Sequence, residues 1–302
     1  MIYDVIIIGG GPAGLTAAVY AARYKLSAVV IFAEEGGLAA TAHKICNFPS
    51  YESISGMELM QGMKRQAEAL RVPLKNETVT RIKLDERVRV LTDRGEYVSK
   101  KLIIATGTKR KKINVKGEEE FYGKGVSYCA TCDAAFYRGK NVAVVGGSDA
   151  SLNSALLLSE FAEKVFIVCR AGSFRAEPAW VEAVAKSNKI ETLFNESLKE
   201  IQGEKFVSKA VLESGKELDV EGIFIEAGAE PSHLILKDLG IMIDGKGYII
   251  ADKNQRTSIK GVFAAGDITD CGLKQIVTAA AQGATAAYSA YRELLSEKTS
   301  SS

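Results

Sequence analysis

The sequence is poor in the residues that small secreted or metal-built proteins depend on. Five cysteines in 302 residues, an odd and scattered set, exclude a secreted disulfide framework. The two histidines, His43 and His233, show no ligand spacing. No apolar run reaches the length of a membrane span, and the opening stretch Val5–Ile8 is too short for a signal sequence. Lysine plus arginine number 39 against 37 acidic residues, so no basic excess is available to hold a nucleic acid or a membrane surface. These absences read as a cytoplasmic protein, a compartment in which paired cysteines serve catalysis more often than structure. Proline is equally scarce, at five, whereas 28 glycines point to many tight turns and close backbone approaches. The length allows two domains with real cores.

Two of the cysteines stand together in Cys129-Ala130-Thr131-Cys132-Asp133. Cysteines three apart at the opening of a helical turn can close a small disulfide ring and carry two electrons as two thiols. Asp133 follows directly and is placed to move the proton a thiolate needs. By itself the pentad leaves redox, metal and inert readings open, although a structural zinc site wants four ligands and no second pair exists.

The flanking chain repeats one pattern twice. A strand over Tyr3–Ile8 runs into Gly9-Gly10-Gly11-Pro12-Ala13-Gly14, then a helix over Leu15–Tyr24 and a strand over Ala28–Phe32 leading to Glu34 and Glu35. In such a fingerprint Gly9 makes the tight turn, Gly11 lets backbone approach a pyrophosphate, and Gly14 packs helix on strand. An acid beyond the second strand accepts from a ribose hydroxyl. Asn141–Val145, Gly146 to Ser151, a helix over Leu152–Phe161 and a strand over Lys164–Cys169 repeat the unit. In the repeat, Ser148 and Ser151 stand at the second and third glycine positions, and Arg170 and Arg175 follow instead of an acid, a choice suited to a ribose 2′-phosphate.

Between the repeats, Gly56–Leu70 has helical spacing. Thr78–Leu84, Arg87–Thr92 and Tyr97–Ile104 read as a small antiparallel sheet that enters the turn Ala105-Thr106-Gly107. The basic run Lys109–Lys112 reads as a solvated surface at a hinge. Glu191–Glu213 reads as a further antiparallel segment and Gly222–Glu226 as a buried strand. The strand in Gly261–Asp267 delivers Asp267 to its carboxyl end, ahead of a small-residue helix over Gln275–Leu295 and a frayed tail at Lys298–Ser302. The fold class expected is α/β, with two Rossmann-like dinucleotide-binding domains, the second inserted into the first. Passing two electrons from a nicotinamide to a dithiol calls for a flavin between them.

Carried by the Cys129–Asp133 pentad, Ala105-Thr106-Gly107, Gly261–Asp267 and Lys274-Gln275-Ile276, nearly the whole chain resembles the low-molecular-weight thioredoxin reductases, flavoprotein disulfide reductases. The resemblance implies an FAD-binding domain from residues 1–113 and 242–302. It implies an NAD(P)H-binding domain over 114–241 that carries the dithiol and swings within a homodimer. Cys132 is then the flavin-side thiol, Cys129 the thiol that attacks thioredoxin, and Asp133 the acid/base. Gly9, Gly11, Pro12, Ala13 and Gly14 hold the FAD pyrophosphate, Glu34 the ribose, and Gly266 and Asp267 the ribityl chain. Gly37, Leu38, Asn47 and Val79 add FAD contacts, as do Thr106, Gly107, Lys274, Gln275 and Ile276. Gly147, Ser148, Asp149 and Ala150, with Arg170 and Arg175, face NADPH or NADH.

The chain departs from the family at Leu38, where glutamine is usual, at Ala39 and Ala40, where threonines are usual, and at Ser148 and Ser151. Its Cys169, Arg170, Ala171 and Arg175 replace a signature of one histidine and three arginines. The partner expected is thioredoxin or a thioredoxin-like protein, with NADPH as donor. The thinned signature raises, as the alternative, a reductase of the same fold fed by reduced ferredoxin.

Overall fold

The computed structural model describes residues 2–231 and 239–299. The chain divides into two compact units, one built from Met1–Ala40, Ile45–Lys109 and Glu230–Ser302, the other from Thr41–Lys44 and Arg110–Ala229. The chain crosses between them through two short strands, Thr108–Arg110 and Ala229–Pro231.

In the first unit the strand Ile2–Gly10 is central, paired in parallel with Ala28–Glu35 on one side and Glu96–Ile104 on the other. Val5, Ile6 and Ile7 are fully buried, as are Ile103 and Ile104, because helices or strands cover both faces and every position of the run must be apolar. Each such side chain contributes roughly 1.5–3 kcal/mol by leaving water. Val262–Ala264 adds in parallel to Glu96–Ile104, so the carboxyl ends of the first and last sequence segments lie at one sheet edge. The helix Pro12–Arg23 begins three residues earlier than its apolar spacing predicts, since Pro12 at its first turn has φ already set for a helix. Its Ala17, Ala18 and Ala21 pack in one core with Ala286, Ala287 and Ala290 of the C-terminal helix Ile276–Thr299. Contact is close enough that a Cβ on Gly283 would lie 2.0 Å from the Ala13 carbonyl oxygen. Lys101, buried, anchors the same helix through Glu293 at 3.3 Å and Glu297 at 2.6 Å.

The second unit has five parallel strands in the order Ile190–Phe194, Lys164–Cys169, Asn141–Val145, Gly222–Ile225, Val126–Ser127. A separate antiparallel sheet joins Leu198–Gly203, Val207–Leu212 and Glu217–Asp219. The α/β class and the two Rossmann-like units expected from the sequence are therefore present.

Two expectations of strand partnership are corrected. Glu96–Ile104 pairs antiparallel with Val88–Thr92 but also in parallel with Ile2–Gly10, so the small antiparallel sheet is an extension of the main one. The start of the expected antiparallel segment, Ile190–Phe194, is instead a parallel strand of the five-stranded sheet. Alternation marks a strand but not its neighbour. The C-terminal helix continues to Thr299, past the start of the expected frayed tail. Residues 300–302 and His233 lie outside the described residues.

Candidate active site

The dithiol hangs from the edge strand Val126–Ser127. Cys129, in extended backbone, caps the one-turn helix Ala130–Asp133, and Cys129 and Cys132 are joined in a disulfide with their Cα atoms 5.3 Å apart. The Cys132 amide donates to Cys129 Sγ at 3.2 Å. Cys132 is exposed and Cys129 partly exposed, so the sulfurs are open to an approaching disulfide. Asp133 is tied in the other direction, because Ser127 Oγ donates to its Oδ2 at 2.6 Å. Tyr137 stands behind, its ring edge-on to Phe224 at 5.2 Å. Burial, reinforced by the Asp133 charge, pushes its phenol upward. Gly222 makes room for that ring, since a Cβ there would come within 2.3 Å of it. Among the described residues no group of three His, Cys, Asp or Glu side chains is placed to hold a metal ion.

The first glycine turn shows three distinct uses of missing side chains. Gly9 has φ +125°, and a Cβ on it would lie 2.0 Å from Ala105 O; one on Gly14 would lie 1.9 Å from Gly9 O. Gly11 and Gly37, by contrast, have nothing nearer than 3.9 Å, which leaves an open backbone lip where a pyrophosphate fits. Glu34 is exposed at the end of Ala28–Glu35, whereas Glu35 is engaged by Lys64 at 2.7 Å. Leu38 is half-buried in the short helix Gly37–Ala40, and Val79 opens the outer strand Val79–Leu84. Thr106 and Gly107 follow the strand Glu96–Ile104, with Gly107 at φ +62°.

Asn47 and Gln275, 228 positions apart, meet through Asn47 Nδ2 donating to Gln275 Oε1 at 3.2 Å. The Gly266 amide donates to Gln282 Oε1 at 2.7 Å, leaving Asp267 just beyond Val262–Ala264. Burial raises the Asp267 carboxyl, with Lys274 opposing. Lys274 Nζ donates to the backbone oxygens of Asp267 and Thr269 at 2.7 and 2.8 Å and lies 3.8 Å over the Tyr248 ring. No hydrogen bond reaches the Asp267 carboxylate oxygens among the described residues. A half-buried acceptor pair of this kind suits hydroxyl donors such as a ribityl chain, and with the glycine lip it makes the first unit fit FAD.

The second turn is built differently. A Cβ on Gly146 would meet Ser151 Oγ at 2.3 Å, and one on Gly147 would meet Cys169 Sγ at 2.5 Å. Ser151 is fully buried and satisfied, its Oγ donating to Glu226 O at 3.3 Å. The Ser148 amide, which in the open fingerprint faces a phosphate, donates to Ser151 Oγ at 3.3 Å. Asp149 Oδ1 accepts from the Glu177 amide at 2.6 Å, and Ala150 follows on the exposed first turn of Asp149–Phe161. The Arg175 amide donates to Gly147 O at 2.7 Å, which brings Arg175 beside Ser148. Arg170 and Arg175 are both exposed, and neither enters an ion pair among the described residues.

Two groups escape a sequence reading. Glu226, at the end of Gly222–Ile225, is buried and accepts from Arg110 at 2.7 Å and Ser154 at 2.9 Å. Burial raises its carboxyl, against the pull of Arg110. The basic run is thus not uniformly solvated: Lys109, Lys111 and Lys112 are exposed, while Arg110 folds onto Glu226. Glu118 is likewise buried and accepts from Tyr128 OH and from the Ile113 amide at 3.1 Å. Burial, then this carboxylate, drives the Tyr128 phenol strongly upward. A cavity of about 490 Å³ lined by Arg110, Lys112, Glu118, Glu119, Tyr122 and Tyr128 opens next to them.

A parallel-sheet unit with a glycine lip, a second unit of the same plan and a surface disulfide define a dinucleotide-dependent disulfide oxidoreductase. The pyridine nucleotide-disulphide oxidoreductase model matches residues 3–283, and the chain belongs to that family. Thioredoxin reductase of Treponema pallidum is 40% identical over 296 residues, covering 95% of this chain and 96% of that one. The crystal structure of Lactococcus lactis thioredoxin reductase in its FR conformation is 38% identical, covers 97% of this chain and 99% of its own, and superposes with a TM-score of 0.94. A ferredoxin-flavin thioredoxin reductase from Clostridium acetobutylicum is 31% identical over 97% of this chain and 98% of its own, with a TM-score of 0.54.

Proposed function

We propose that the protein is an FAD-dependent thioredoxin-disulfide reductase, a cytoplasmic homodimer that draws electrons from NADPH. The observation that carries this reading is the surface disulfide with Asp133 fixed beside it, in the same chain as two nucleotide folds. The balance is one nicotinamide hydride and one proton in, and a thioredoxin disulfide converted to two thiols. Residues 1–113 and 242–302 form the FAD domain, and 114–241 form the nucleotide domain with the dithiol. Bound FAD supplies the two-electron relay between nicotinamide and disulfide. Gly11 and Gly37 receive its pyrophosphate, Glu34 its adenosine ribose and Asp267 its ribityl hydroxyls. Asn47 and Gln275 fix the loops toward the ring. Cys132 is the flavin-side sulfur, Cys129 attacks thioredoxin, and Asp133 holds and returns the proton.

Arg170 and Arg175, exposed and unpaired by acids among the described residues, favour a 2′-phosphate and hence NADPH over NADH. A second reading, reduced ferredoxin as donor, is favoured by the Ser148 amide already spent on Ser151 and by Ala171 in an arginine position. Anaerobic titration separates the two. NADPH is expected to bleach the flavin band, completely by about two equivalents because the flavin and the Cys129–Cys132 disulfide each take two electrons, with NADH weaker, and Ala171→Arg to tighten NADPH by roughly ten- to a hundredfold through one charge-assisted contact. A flavin that dithionite reduces but neither nucleotide touches would contradict NADPH and leave the ferredoxin reading.

A further inference from the structure

We infer that Ser127 is a positioning residue for dithiol exchange, holding Asp133 and Cys129 in one geometry through a single hydroxyl; this rests on the acid/base reading of Asp133. Ser127 is buried in the edge strand, its backbone in register with Phe224. Its hydroxyl has one proton, given to Asp133 Oδ2 at 2.6 Å; the competing acceptor, Cys129 O, is at 3.4 Å. Its lone pair takes the Cys129 amide at 3.0 Å. The neighbouring Tyr128 is tethered to buried Glu118, so Ser127 sits on a segment anchored from a second direction. With Oδ2 committed, Asp133 keeps Oδ1 free of hydrogen bonds among the described residues. That oxygen is the one available to a thiol proton.

The exchange then balances. Cys129 thiolate attacks one sulfur of the partner disulfide, forming a mixed disulfide and releasing the other sulfur as a thiolate. That thiolate takes back from water the proton Cys129 lost on ionising. Cys132 gives its proton to Asp133 while attacking Cys129 Sγ, which re-forms the enzyme disulfide and expels the second partner thiolate. Asp133 passes its proton to that thiolate. Two electrons leave the enzyme dithiol and reduce the partner.

The test is a single turnover of holoenzyme reduced beforehand with dithiothreitol, mixed with thioredoxin disulfide and quenched, which bypasses the nicotinamide site. Ser127→Ala is expected to lower the saturating rate roughly tenfold without changing the half-saturating thioredoxin concentration. Ser127→Thr, which keeps the hydroxyl, restores most of it. The double variant Ser127→Ala/Asp133→Asn is no slower than Asp133→Asn alone, because the hydroxyl acts through the carboxylate. A full rate in Ser127→Ala, or losses that multiply in the double variant, would overturn the inference and leave Asp133 in its role. Asp133→Asn at the wild-type rate would remove the acid/base reading and the inference with it.

Discussion

Replacing Cys132 with serine leaves the protein yellow and lowers thioredoxin reduction by at least about a thousandfold, because the two sulfurs act as a unit and one alone has no ring to open. Glycine turn, Asn47–Gln275 contact and Asp267 all lie in the other unit, so FAD content is unaffected. The two cysteines are distinguishable beyond this shared loss. With Cys129 as the attacking sulfur, Cys132→Ser traps a covalent mixed disulfide with thioredoxin, since nothing remains to resolve it. Cys129→Ser traps none. Non-reducing electrophoresis and mass spectrometry read the difference directly. Trapping by Cys129→Ser alone would reverse the assignment, and retained turnover in either variant would take the dithiol out of the mechanism.

The second large effect is expected from two glycines that differ only in which turn they serve. Gly9→Ala puts a Cβ 2.0 Å from the Ala105 carbonyl oxygen at φ +125°, where backbone meets backbone and no side chain is available to move. Strain of this kind costs about 3–5 kcal/mol, and the protein should purify colourless with a lowered melting temperature. Gly146→Ala makes the equivalent clash with Glu226 O at 2.4 Å and with Ser151 Oγ at 2.3 Å, but in the second unit. It should stay yellow, lose its response to NADPH, and still reduce thioredoxin when dithionite supplies the electrons. A colourless Gly146→Ala protein, or a yellow Gly9→Ala one, would contradict the assignment of FAD to the first unit.

The parts of the molecule legible in the sequence are those whose signal is local. The run Val5–Ile8 is apolar at every position, so a strand buried on both faces follows, and the observed strand Ile2–Gly10 contains it. Gly9, Gly11 and Gly14 differ in function by position alone, and the structure gives each a different neighbour, a carbonyl, open space and a packed turn. The pentad is legible for the same reason, as its chemistry lies within five consecutive residues.

Long-range pairing is not legible in this way. Nothing near Arg110 in sequence says that Glu226, 116 positions on, takes it out of a basic run that otherwise meets solvent. Glu226 reads as the polar end of an apolar strand, and only the fold shows that burial and Arg110 hold it. Ile190–Phe194 runs on in sequence toward the antiparallel strands, yet it joins the edge of the parallel sheet, because partner choice depends on the crossover that precedes it. Ser127 is a small polar residue before a cysteine until the turn brings Asp133 Oδ2 to within 2.6 Å of it.

Electrons held by this protein leave through the Cys129–Cys132 dithiol to thioredoxin. The most direct measurement is to reduce the FAD-loaded protein anaerobically with a limiting equivalent of dithionite, add thioredoxin disulfide, and count thiols on the separated thioredoxin while watching the flavin band. A pair of new thioredoxin thiols is expected for every two electrons supplied, together with return of the oxidised flavin spectrum. A flavin that stays reduced beside intact thioredoxin disulfide would contradict it.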